Sequence, residues 1–224
     1  MSKLSVDSRS TNFYILGGRK QLTNNKMLKS FARKITKKLF VSYARLNDRG
    51  EIIDVCDHLS RIATALVMMP ERREHYSPAV DLLGRLREYF PQTTFYLLTN
   101  EALLKEQAPQ LSEDEKLLLI YCNEEHLGFG GLPKEALQEA IRSRHFDLLL
   151  DLNEEFNFTA AYLCRSSSAK LRICLQHPSR DPFYNFQVRA HADETLDHKY
   201  QTLIKYITVF LPMPGTSPAS LITA

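Results

Sequence analysis

The chain has 224 residues, 44% of them hydrophobic and 25% charged, enough for one large globular domain. That composition excludes extended disorder, a collagen-like repeat and a small disulfide scaffold. The net charge of +3 hides an asymmetry: residues 1–47 carry eleven Lys or Arg against Asp7 alone, a net +10, which leaves −7 for the remainder. Such a split points to an interaction arm attached to a globular body.

Residues 1–25 are polar. From Lys26 to Tyr43, Leu28, Phe31, Ile35, Leu39 and Ser42 recur at helical steps, with Lys26, Lys29, Arg33, Lys34, Lys37 and Lys38 on other faces. This spacing predicts a basic amphipathic helix over 26–43. Asn47, Asp48 and Gly50 supply a turn, and 51–60 is a connection of open structure. Short apolar runs then alternate with helical stretches. Strands are predicted at 63–69, 93–99, 117–122, 146–152 and 171–175, with a sixth at 183–190. Helices are predicted at 78–89, 101–107, from Pro133 through Leu137 and Ile141, at 158–164 and at 194–210. A Pro-rich flexible tail follows from Pro212.

Strands that are apolar throughout and separated by helices need cover on both faces. The predicted fold class is therefore α/β: a single Rossmann-like domain with a mostly parallel sheet over 48–211, preceded by the basic arm 1–47 and followed by the tail 212–224. Cys56, Cys122, Cys164 and Cys174 show no metal-type spacing and read as free thiols of a reducing compartment. The seven histidines form no HxH or HExxH arrangement, so neither a metal nor a cofactor is expected. There is no signal-peptide apolar core and no run long enough to span a bilayer, although the Arg-rich, acid-poor start shares composition with organelle transit peptides. The expected location is cytoplasmic, peripheral at the inner face of a membrane.

Chemistry-bearing residues gather where open α/β sheets bind ligands, at the carboxyl ends of strands. Glu71 and His75 follow the first strand and are candidate general bases, the alternative being solvated loop charges beside Arg72 and Arg73. Asp151, Asn153 and Glu154 end the fourth strand and are candidate ligand-binding residues, or else caps of the next helix. Gly128 to Gly131 lacks phosphate-loop spacing and reads as a turn. The basic helix either packs its stripe on the body or meets a polyanion. An anionic membrane surface or an acidic protein partner suits it better than nucleic acid, since no RNA-binding aromatic motif accompanies it.

The run HFDLLLDLNEEFNFTAAYLCRSSSAKLRICL, His145 to Leu175, resembles a segment of glycosyltransferase family 9, the ADP-heptose:lipopolysaccharide heptosyltransferases. ATALVMMP and AVDLLGRLREYFPQTTFYLLTN are similar to that family's first strand, helix and second strand, so the resemblance covers residues 61–190. It implies half of a GT-B fold, the half that holds the acceptor. The family's Gly-Asp pair after the first strand, whose Asp deprotonates the acceptor hydroxyl, is replaced here by Pro70-Glu71-Arg72-Arg73. With 34 residues after Ala190, the expectation is that the half that binds nucleotide-sugar is missing. The expectation is a membrane-associated half-domain without independent catalysis that binds a glycan acceptor or a partner. Two alternatives stand beside it: a glycosyltransferase subunit completed by a separate donor-binding chain, with Glu71 as base, and a scaffold docking a partner complex through the basic arm.

Overall fold

The apolar runs form six strands in a computed structural model, which describes residues 34–36, 38–46 and 53–211. These are β1 (Thr64–Met68), β2 (Thr94–Thr99), β3 (Leu117–Tyr121), β4 (Leu148–Asp151), β5 (Leu171–Leu175) and β6 (Phe186–Val188). All neighbours are parallel, in the order β3-β2-β1-β4-β5-β6. The chain thus builds outward from β1 to β3, returns to place β4 against β1, and builds outward on the other side. This is the Rossmann strand order, with its switch point between β1 and β4.

Helix α1 covers 34–36 and 38–46, followed by α2 (Val55–Leu59), α3 (Tyr76–Tyr89), α4 (Glu101–Gln107), α5 (Glu135–Arg142), α6 (Phe158–Ser166) and α7 (Leu196–Val209). Alternate strand residues feed two cores. Ala65, Val67, Leu97, Leu148, Leu150 and Ile173 pack under α3 and α7, while Leu66, Met68, Leu98, Leu149 and Cys174 pack under α5 and α6. Burial on both sides explains why the strands show no polar alternation. The connection at 51–60 contains α2, capped by the Asp54 carboxylate, which accepts from the Asp57 amide at 3.0 Å. Helix α3 begins at Tyr76, two residues before Pro78, after a 3-10 turn at Arg73–His75.

Two expectations need correcting. β6 spans only Phe186–Val188, because Phe183 and Tyr184 turn inward and are buried instead of continuing the strand. Of the two readings of the basic helix, packing of its stripe on the body does not hold for Ile35 and Leu39, the stripe's apolar members among the described residues: their row is not the docked face. Phe40 is, with its ring 5.3 Å from that of Phe158, 5.2 Å from Tyr162 and 5.1 Å from Phe183, alongside Val41 and buried Ala44. Ile35 and Leu39 lie on the row one residue away, about 100° around the helix, and are 42% and 67% exposed. The aromatic ring of Phe40 finds three ring partners, a gain the aliphatic row has no counterpart for. Lys26, Lys29, Arg33, Lys37 and the tail from Pro212 lie outside the described residues. Among the described residues, no helix is long and apolar enough to cross a membrane.

Candidate functional site

The loops leaving β1 and β4 diverge at the switch point, and a crevice opens between them. A cavity there, about 300 Å³, is bounded by Pro70, Glu71, Arg72 and His75 after β1, by residues 153–158 after β4, and by Lys34 of α1. Asn153 ties the two loops together: its Oδ1 accepts from the Glu71 amide at 3.2 Å, while its own amide nitrogens, backbone and side-chain, donate to Asp151 Oδ1 at 3.0 and 2.7 Å. Asn157 caps α6, accepting from the Ala160 amide at 3.0 Å.

Two rim carboxylates, those of Glu155 and Glu154, are paired with basic side chains. Arg72 Nη2 donates to Glu155 Oε1 at 2.7 Å across the crevice. Glu154 receives Lys199 Nζ at 2.8 Å on one oxygen and lies 3.4 Å from His75 Nε2 with the other. The hydrogen bond from Lys199, with the charges of Lys199 and Arg72 adding to it, outweighs the burial that opposes it and holds the Glu154 carboxyl below the usual glutamate range. The three residues therefore run Lys199, Glu154, His75, with the carboxylate beside the imidazole.

Beneath the cavity lies a buried polar layer. Asp151 is fully buried and accepts from the Tyr184 hydroxyl at 2.6 Å. Arg180, equally buried, donates to the carbonyls of Leu175 (2.7 Å), Asn153 (2.5 Å) and Glu155 (2.6 Å), and its Nη2 is 3.8 Å from Asp151 Oδ2. Burial pushes the Tyr184 phenol and the Cys174 thiol well above their ordinary values, so neither ionises at neutral pH. Arg180 fixes the backbone that displays Asn153, Glu154 and Glu155.

Of the predicted site residues, Glu71, His75, Asn153 and Glu154 come together at this cavity, joined by Lys34 from the arm. Asp151 does not reach it: being at the end of a central strand, it points into the buried layer. Lys38 is exposed on α1. Arg180 and Lys199 went unnoticed in the sequence, where each is one basic residue among polar neighbours. A second cavity of about 280 Å³ adjoins the first over the ends of β1, β2 and β3, sharing Glu71, Asn153 and Asn157. It contains Cys122, whose thiol burial raises to about 11. The glycine loop is a turn: Gly130 and Gly131 take φ of 71° and 82°, and a Cβ on Gly130 would lie 2.9 Å from Thr36 Oγ1 of α1.

Residues 106–210 match a sequence family described as a family of unknown function (DUF6913). No curated protein matches the chain. Among solved structures, the chain is similar to Escherichia coli heptosyltransferase WaaC with ADP, at 13% identity and TM-score 0.51, over 69% of this chain and 49% of that one. The same enzyme with ADP-2-deoxy-2-fluoro heptose gives 14% and 0.51, over 69% of this chain and 50% of that one. A family 9 glycosyl transferase from Veillonella parvula gives 17% and 0.50, over 68% and 42%. The chain thus spans about half the length of the structures it matches, and the likeness is one of fold: a six-strand parallel Rossmann-like domain matching half of a GT-B glycosyltransferase.

Proposed function

We propose that this domain is a glycan-binding module of the heptosyltransferase type, taking the hydroxyl-rich part of an acceptor at the switch-point crevice and having no catalysis of its own. The observation that carries this reading is the cavity between β1 and β4, whose acids Glu71, Glu154 and Glu155 are balanced in number by Lys34, Arg72 and the Lys199 that pairs with Glu154. A site balanced in this way favours a ligand rich in neutral donors and acceptors over a strongly charged one. Its volume, about 300 Å³, accommodates one or two sugar rings, and Phe156 supplies an apolar wall. The test is glycan-array binding by the purified chain, followed by titration of the best ligand with Arg72→Ala and His75→Ala. A loss of about tenfold or more in affinity for either variant supports the reading, the scale of one hydrogen bond to a charged group. Equal affinity in both variants, or no glycan bound, refutes it.

One observation favours a second reading, a glycosyltransferase subunit completed by another chain. His75 is 13% exposed at the cavity edge with Glu154 behind it, the arrangement a general base needs to accept the proton of an attacking hydroxyl. On this reading His75, rather than Glu71, is the base. Transfer from a nucleotide-sugar by a reconstituted pair of chains, abolished by His75→Ala and retained in Glu71→Gln, would establish it.

A further inference from the structure

Helix α1 has two apolar rows, and among the described residues the aliphatic side chains of one of them stay largely exposed. Thr36, Phe40 and Ala44 face the protein; on the adjoining row Ile35, Leu39 and Leu46 are 42%, 67% and 85% exposed, with Tyr43 at 64% between them. The row is a ridge: none of the cavities described above is lined by any of these four side chains. The neighbouring glycine loop approaches α1 at Thr36 and carries Phe129, 74% exposed. Lys34 and Lys38 flank the ridge, and no acidic residue occurs in the sequence between Asp7 and Asp48. Glu124 and Glu125 are exposed on the loop that carries Phe129, so the basic character of this surface belongs to α1.

We infer that the outer ridge of α1 docks on an anionic lipid surface, with Ile35, Leu39 and Leu46 entering the headgroup boundary and the lysines meeting the lipid phosphates. The choice of a membrane rests on charge and shape. An uninterrupted basic helix is complementary to an anionic plane, on which each Lys or Arg near the surface contributes on the order of 1 kcal/mol. A convex row of aliphatic side chains needs no matching groove in a fluid interface, whereas a protein partner must supply one. Lys34 belongs both to this helix and to the cavity wall, so docking places the crevice mouth beside the lipid headgroups. The inference is independent of which ligand the crevice takes.

The experiment is co-sedimentation of the full chain with phosphatidylcholine vesicles, with and without phosphatidylglycerol, at low and high salt. The chain is expected to bind only the anionic vesicles, and less at high salt. Leu39→Asp with Leu46→Asp is expected to reduce partitioning by about tenfold or more, and Lys38→Glu by several-fold. These side chains are exposed, so the variants keep the wild-type circular dichroism, and Glu88→Gln, exposed on α3 across the sheet from α1, leaves sedimentation unchanged. No binding to anionic vesicles, or equal binding by the doubly substituted chain, overturns the inference. So does a concentration-dependent dimer that the Leu39/Leu46 substitutions abolish, since the ridge is then covered by a second copy.

Discussion

Replacing Arg180 by Met tests the claim that one buried guanidinium holds the crevice together. Arg180 is fully buried and satisfies three carbonyls, those of Leu175, Asn153 and Glu155, while lying 3.8 Å from the Asp151 carboxylate. Methionine fills a similar volume, so the cost comes from polar groups left without a partner. Each orphaned carbonyl costs about 1 kcal/mol or more, and the unbalanced buried carboxylate adds to this, although Tyr184 and Asn153 still donate to it. The total is about 4 kcal/mol, within the range for removing one partner of a buried ion pair, and lowers Tm by about 12 °C for a chain of this size. Urea unfolding followed by circular dichroism measures it. Asp151→Asn in the Arg180→Met background should add less than it does alone, with a coupling of about 1–2 kcal/mol for charges this close. A loss below about 1 kcal/mol for Arg180→Met, or strict additivity in the double variant, refutes the reasoning.

Further outcomes follow from the same geometry. The lowered pKa of Glu154 contributes stability that is present above the ordinary glutamate range and lost as pH falls through the folded value; Lys199→Met should lower the neutral-pH urea midpoint and shrink its acid-side loss, and parallel profiles for the two proteins contradict this. Phe40→Ala removes the ring that meets Phe158, Tyr162 and Phe183 and should release α1 at a cost of about 2 kcal/mol; limited proteolysis then cuts within 34–46 while 53–211 stays intact, and wild-type cleavage speaks against this docking. In alkylation at neutral pH, exposed Cys56 should react first and buried Cys164 and Cys174 only after unfolding. Cys122, with its thiol raised to about 11 by burial and by the nearby Glu71 carboxylate, should lag far behind Cys56 in mass-spectrometric mapping.

The positions of the elements were legible because each strand and helix is encoded locally. Leu148 to Leu150 form a run that only a doubly covered strand tolerates, and Leu137 with Ile141 sits at helical spacing, as α5 bears out. The crevice was legible in part. Glu71, His75, Asn153 and Glu154 follow strands directly, so knowing that β1 and β4 end at one sheet edge brings them together. Asp151 was misplaced because the polar end of a strand reads the same whether it emerges into solvent or stops within a buried layer. Arg180 and Lys199 were not legible. They lie 27 residues from Asn153 and 45 from Glu154, and no local pattern marks a basic side chain that will find its partner at that distance.

By itself, the sequence determined the alternation of strands and helices, the apolar content of the sheet and the separation of a basic arm from an acidic body, since period and charge are properties of contiguous residues. The tertiary structure decided which of two apolar rows on α1 is buried. Ile35/Leu39/Leu46 and Thr36/Phe40/Ala44 have the same period, and only the rings of Phe158, Tyr162 and Phe183, contributed from elsewhere in the chain, distinguish them. The outcome leaves an aliphatic ridge facing outward beside Lys34 and Lys38. A periodic pattern specifies that a helix has a side to bury; the neighbours it meets specify which side that is.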